Sequence, residues 1–124
     1  MCHTEVPVAP KGTSYSNYPV FAVPADVAKG VATVGFDACS TASNHSWDQG
    51  FSGVKATLDA LDSAHVAHSG TARSAAEADK PVIVTARNGL KVGLVSGAYG
   101  LNGQSVPKDK PWAWSDAQAD HLLN

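Results

Sequence analysis

Between Phe36 and Ala64 the sequence changes its period, and this change constrains the fold more than any other feature. Gly35-Phe36-Asp37-Ala38-Cys39-Ser40-Thr41-Ala42 reads as a short strand of small, mostly apolar residues opened by a glycine. From Gly50 to Ala64 the spacing becomes helical: Phe51, Val54, Leu58 and Leu61 fall on one face, and Lys55 and Asp59 form an i,i+4 pair on the other. A strand that feeds a helix points to the α/β class, in which ligands sit where strands end and helices begin. The turn between the two carries Ser43-Asn44-His45-Ser46-Trp47-Asp48-Gln49-Gly50, so Asn44 and His45 occupy that position. Taken alone, the pair also has a plainer use, with Asn44 tolerating an unusual turn and His45 capping the helix.

The flanking sequence fits the same class. Val6 to Pro19, with Pro7, Pro10, Gly12 and Pro19, reads as a long functional loop in which Tyr15 and Tyr18 serve as anchors. Pro24-Ala25-Asp26 starts a helix whose face is Val27, Val31 and Val34 and whose C-terminal cap is Gly35. Val66 to Gly70 predicts a short strand and turn, and Ala72 to Asp79 one or two helical turns. His65 and His68 then point to opposite faces and read as surface histidines. Pro81 to Ala86 and Lys91 to Ser96 flank Asn88-Gly89, a hairpin signal. Gly97 to Pro111 reads as loop, Trp112 and Trp114 as packing residues, and Ser115 to Leu123 as a closing helix capped by Ser115.

Several function classes drop out. A net charge of −2 without a basic run argues against nucleic acid or an anionic membrane as partner. No apolar stretch reaches membrane-spanning length. There is no P-loop, and Gly93-Leu94-Val95-Ser96-Gly97 misses the nucleophile-elbow pattern by one position. Cys39 has no basic neighbour in sequence to activate it. Glu5, Asn44 and His45 remain as candidate site residues, with His3 and Asp48 in second rank. A carboxylate, an amide oxygen and an imidazole suit Mn²⁺, Mg²⁺, Fe or Zn²⁺ rather than soft metals. At 124 residues the chain reads as a single domain, and Met1, the only methionine, followed at once by Cys2-His3-Thr4-Glu5, suggests a piece of a longer protein.

The order of motifs resembles one family. Glu5-Val6-Pro7, Tyr18-Pro19-Val20-Phe21, Gly35-Phe36-Asp37, Ser43 to Gly50, Thr57-Leu58-Asp59-Ala60-Leu61, Gly70-Thr71-Ala72, Glu77-Ala78 and Asn88-Gly89 together resemble the bacterial capsule-synthesis family CapA, the poly-γ-glutamate synthesis proteins. The match runs from about Cys2 to Ser96. Ser43, where most members would have asparagine, and His3-Thr4 before Glu5 depart from the pattern. The resemblance implies a calcineurin-like metallophosphoesterase architecture, a layered α/β sheet with metals at the strand ends. Under it, Glu5 and Asn44 are metal ligands, His45 faces the substrate as the catalytic residue, and Asp48 buttresses the loop. The further Gly-Asp and histidine segments that would complete a two-metal site have no counterpart here, so this stretch alone is expected to have little or no phosphoesterase activity.

The resemblance also implies an extracytoplasmic location, with the parent protein anchored to a membrane and working on an anionic polymer such as poly-γ-glutamate beside other capsule-synthesis subunits. Disulfides persist outside the cytoplasm. If the strand ending at Glu5 neighbours the strand ending at Ala42, Cys2 and Cys39 stand level, and two outcomes remain open: a disulfide between them or two separate buried thiols. Function is open in the same way. The parent is a metal-dependent hydrolase or transferase, or else a non-catalytic factor whose cleft binds polymer or a partner subunit.

Overall fold

The computed structural model describes residues 1–117. Short strands and helices alternate as β1 (Cys2–His3), α1 (Asp26–Thr33), β2 (Ala38–Ser40), α2 (Gly50–Ser63), β3 (Ala67–Ser69) and α3 (Ala75–Ala78). The hairpin β4 (Val82–Thr85) and β5 (Lys91–Leu94) and a 3-10 turn at Pro111–Ala113 follow. The architecture is mixed α/β, as the change of period requires. Strands β1, β2 and β3 form a parallel sheet with β2 in the middle, in the registers Cys2↔Cys39 and Cys39↔His68. Parallel neighbours need crossover connections. Helices α1 and α2 lie within them and contact each other, which places both on one face of the sheet. Because the three strands run the same way, the loops that follow them leave along one edge.

Burial is centred on β2 and α2. Cys39, Val54, Leu58, Leu61 and Val66 form the core with Trp47, Leu101 and Ala113. Strand β2 is shorter than the run Phe36 to Ala42 because its first residues belong to the end of α1. Gly35 adopts φ 89°, and the Gly35 and Phe36 amides donate to the Ala32 and Val31 carbonyls. That is the double hydrogen bond of a Schellman cap, and it needs the left-handed residue that glycine supplies.

Helix α2 ends in the same way with His65 in the left-handed position, φ 58°. The His65 and Val66 amides donate to Asp62 and Leu61. His68 has a side chain only 10% exposed and stands 3.1 Å from Asp62. His65 is exposed as expected while also forming the helix cap, and the expectation is corrected for His68 alone, which is partly buried and bonded to Asp62 at the end of that helix.

Two further expectations change. Tyr15 and Tyr18 are 67% and 82% exposed, and Tyr18 only edges against the Phe21 ring (centroids 6.3 Å), so neither is a buried anchor. The long loop is held instead by buried Pro7, Val8 and Ala22, through the Val8 amide on Thr57 Oγ1 (2.9 Å) and a Val8↔Val23 bridge. Backbone amides near a helix need acceptors, and Thr57 offers one that tyrosines turned to solvent do not. Ser115 does not cap a helix. Its amide donates to the Gly70 carbonyl (2.8 Å), and Trp114 and Asp116 form bridges with Thr71 and Ala98, so the chain there is extended. The rest of the expected helix, from 118 on, lies outside the described residues. The hairpin around Asn88-Gly89 forms in antiparallel register as expected. Among the described residues no helix is long and apolar enough to cross a membrane.

Of the two outcomes for the cysteines, the disulfide is the one formed: Cys2 and Cys39 are bonded across β1 and β2, with Cα atoms 4.4 Å apart. Closing a loop of sequence separation 37 restricts the unfolded chain, so reduction is expected to cost about 4 kcal/mol of stability. Urea unfolding with and without reductant measures this, and coincident curves would refute it.

Arg73 ties α3 to α2. Its guanidinium bonds Asp59 (2.6 Å), Asp62 (2.7 Å) and Glu77. Burial pushes the Asp62 and Glu77 carboxyls up, but the Arg73 hydrogen bonds and charge outweigh it and hold both below their usual range. A carboxylate depressed in the folded state contributes stability above its unfolded pKa, and that stability is lost as pH falls through the folded value. Arg73→Met is expected to cost about 1 kcal/mol at neutral pH, a figure discounted for half-exposed partners. The gap to wild type should close below about pH 4, as the carboxylates protonate. A gap independent of pH would show that the ion pairs contribute nothing.

Candidate functional site

The site is built by the end of β2. Thr41 continues the strand direction, with its amide on the Ser69 carbonyl (2.8 Å). Its buried hydroxyl donates to that same carbonyl (3.1 Å) and accepts from the Thr71 amide (3.0 Å) and the Thr71 hydroxyl (2.8 Å). One hydroxyl has one proton and two lone pairs, and Thr41 uses all three. Gly70 lies between these partners at φ 121°, where a Cβ would come within 2.5 Å of the Ala42 nitrogen and 2.7 Å of Ser96 Oγ. The close approach of β3 to the site loop therefore requires glycine.

Past Thr41 the chain coils through successive turns into α2. Ser46 Oγ donates to the Thr41 carbonyl (2.7 Å) and accepts from the Ser43 amide (2.7 Å), while the Trp114 indole donates to the Ser43 carbonyl (3.2 Å). Trp47 is buried in the core and fixes the loop from below. These anchors leave Asn44 exposed and His45 partly buried beside it. Neither has the plainer use open to it from sequence. Asn44 does not adopt positive φ. The N-cap residue of α2 is Gln49, and no side chain caps that helix end.

His45 is held on three sides. Asp48, whose side chain is 2% exposed, places Oδ2 2.8 Å from His45 Nδ1. The same Oδ2 accepts from the Phe21 amide (2.8 Å), and Gln49 Nε2 donates to the Phe21 carbonyl (3.0 Å). Both backbone groups of Phe21 are thus bonded to the site loop, and its ring packs edge-to-face on the His45 ring with centroids 4.8 Å apart. The proline-rich loop thereby supplies a wall of the site. A carboxylate on Nδ1 favours a proton there and leaves Nε2 as the ring nitrogen that Asp48 does not hold.

Asn44 is exposed. It receives the Ser43 hydroxyl on Oδ1 (3.2 Å) and donates from Nδ2 to Asn102 Oδ1 (3.2 Å). Asn102, which the sequence reading missed inside a loop, thus joins the pair from 58 residues away. Glu5 follows β1 at the same edge of the sheet, is exposed, and forms no hydrogen bond or ion pair among the described residues. Nor does any bond connect it to Asn44 or His45. His3 bonds Ser40 Oγ (2.7 Å), and among the described residues no bond connects it to Asn44 or His45.

Oxygen and imidazole donors here fit a hard or borderline divalent ion as part of a coordination shell. They do not fit a closed cage: among the described residues no three His, Cys, Asp or Glu side chains stand close enough to hold a metal. Beside the cluster, an open groove is lined by Tyr99, Leu101, Gln104, Lys108, Trp114 and Asp116. Lys108 in that groove has no ion pair among the described residues.

Removing the Asp48 carboxylate strands the Phe21 amide and frees His45. Asp48→Ala is therefore expected to destabilise the fold by about 2 kcal/mol, the cost of an unpaired buried donor. Chemical unfolding against an exposed control, Asp79→Ala, checks this, and equal effects of the two would contradict it.

The family model for the bacterial capsule synthesis protein PGA_cap matches residues 1–123. No curated protein matches the chain.

Proposed function

The chain belongs to the bacterial capsule synthesis protein family, and from that premise we propose that it acts on an anionic capsular polymer such as poly-γ-glutamate through the Asn44–His45 site. The observation that carries this reading is the Asp48-held imidazole beside an exposed asparagine at the sheet edge where the parallel strands end. Such an edge is where α/β proteins place chemistry.

In the proposed arrangement Glu5 and Asn44 contribute ligands to a divalent ion, Mn²⁺, Zn²⁺, Fe or Mg²⁺. A bound ion of this kind polarises a phosphoryl or carbonyl oxygen and neutralises charge. His45 does the rest from its Nε2 edge. With Asp48 on Nδ1, it donates a proton to a leaving group when protonated, or stabilises developing negative charge by a hydrogen bond. Phe21 covers one side of the ring and limits water there. The groove with Lys108 gives an anionic chain a place to lie, and other capsule synthesis subunits are the expected protein partners. The Cys2–Cys39 disulfide supports a location outside the cytoplasm, since such bonds persist in oxidising compartments.

A second reading, polymer binding without chemistry, is favoured by the open donor set, in which no three acidic or histidine ligands among the described residues converge.

Calorimetric titration separates the two. Mn²⁺ is expected to bind the wild-type protein and to bind at least about tenfold more weakly to Asn44→Ala and Glu5→Ala, and poly-γ-glutamate binding should weaken when EDTA removes the ion. Polymer binding that is indifferent to EDTA and to both substitutions would leave the non-catalytic reading standing and refute the metal-dependent one.

A further inference from the structure

Residues 101–104 form a tight turn in which Asn102 and Gly103 adopt φ 52° and 83°, closed by the Gln104 amide on the Leu101 carbonyl (2.9 Å). An Asn-Gly pair is what such a turn asks for. Leu101 is 5% exposed and belongs to the core, so the turn is rooted, while Asn102 beside it is exposed. The side chain of Asn102 does not fold back on its own turn. In the Asn88-Gly89 turn of the hairpin, by contrast, Asn88 Oδ1 accepts the nearby Leu90 amide (3.1 Å). Asn102 instead crosses to the site. Its Oδ1 accepts from Asn44 Nδ2 (3.2 Å), and its Nδ2 lies 3.4 Å from both ring nitrogens of His45.

We propose that Asn102 is a positioning residue of the site, fixing the amide plane of Asn44 and holding the open side of the His45 ring. An amide is planar, so two hydrogen bonds settle where its atoms point. Asn44 has one from the Ser43 hydroxyl to Oδ1 and one from Nδ2 to Asn102. With both in place, the remaining lone pair of Asn44 Oδ1 has one direction. Without Asn102 the exposed amide rotates about its terminal torsion, which has broad, weakly separated minima. The inference is independent of any ligand in its geometry, and rests on the proposed function only for its consequence for the ion.

The test uses Asn102→Gly, which keeps a residue suited to positive φ and removes only the side chain, and Asn102→Asp, which keeps an acceptor for Asn44 Nδ2. Side-chain amide signals of Asn44, assigned by their loss in Asn44→Ala, are read by heteronuclear NMR alongside the melting temperature and Mn²⁺ affinity. Asn102→Gly is expected to move the Asn44 signals with no change in melting beyond that of Asn88→Gly, and to weaken Mn²⁺ binding about tenfold, as loss of a ligand-orienting partner does. Asn102→Asp should restore most of both. Asn44 signals that stay in place in Asn102→Gly would overturn the proposal. If the wild-type protein binds no Mn²⁺, the metal reading fails by itself and the Asn44 signals alone decide the role of Asn102.

Discussion

A carboxylate that is almost fully buried sets the shape of this site. Asp48 is taken out of water, which is costly unless its charge is met by donors. Its Oδ2 meets the Phe21 amide and His45, and the residue lies directly before the N-terminal end of α2, where the helix dipole favours a negative group. Two segments far apart in sequence are joined at that one atom: the Phe21 backbone and the Asn-His turn that leads into α2. The imidazole is held because the carboxylate must be satisfied. Stability and the geometry of the candidate site therefore depend on the same group, and changes at Asp48 affect both.

Beneath it, the strand ends are tied by hydroxyls rather than by apolar packing. Thr41, Thr71 and Ser46 are buried, yet among the described residues no buried side-chain nitrogen or oxygen lacks a partner. A saturated polar network is rigid because any rotation breaks a bond that water cannot replace. This suits a layer between the core and an exposed site. The Cys2–Cys39 bond does the same for β1, a strand of only two residues that backbone pairing alone would hold weakly.

What could be read from the sequence follows the range of the interactions. Helix α2 runs Gly50–Ser63 where the spacing of Phe51, Val54, Leu58 and Leu61 put it, and the Asn88-Gly89 hairpin closes as written, because both are decided by neighbours a few residues apart. Asp48 as a buttress was legible only through family resemblance. Phe21 as the wall of His45 was not legible, nor was Asn102 as a partner of Asn44. Each depends on contacts across 24 or more residues, which local pattern does not encode. The tyrosines misled for a related reason: a large aromatic in a loop reads as an anchor, but Thr57 and Asp48 offered the loop backbone better partners. Ser115 misled because a serine before an acid suits a helix start locally, whereas the free Gly70 carbonyl draws it into extended pairing.

The charges around the site bear on what can bind there. Asp48 and Glu5 are acidic, and among the described residues no lysine or arginine hydrogen-bonds to Asn44, His45 or Asn102. An anionic polymer approaching that cluster meets amides and negative charge, and in a partly desolvated site like charges repel by several kcal/mol. Lys108 lies in the adjoining groove, where it can hold one anionic group of a chain but not neutralise a second at the cluster. Under the proposed function, with a polymer carrying one carboxylate per unit, a cation would accompany the group that reaches His45. The neutral amide of Asn44, oriented by Asn102, fits that proposal. Asn44 Oδ1 would offer an ion an oxygen atom without adding charge, so that the ion would keep enough of its own to attract the polymer.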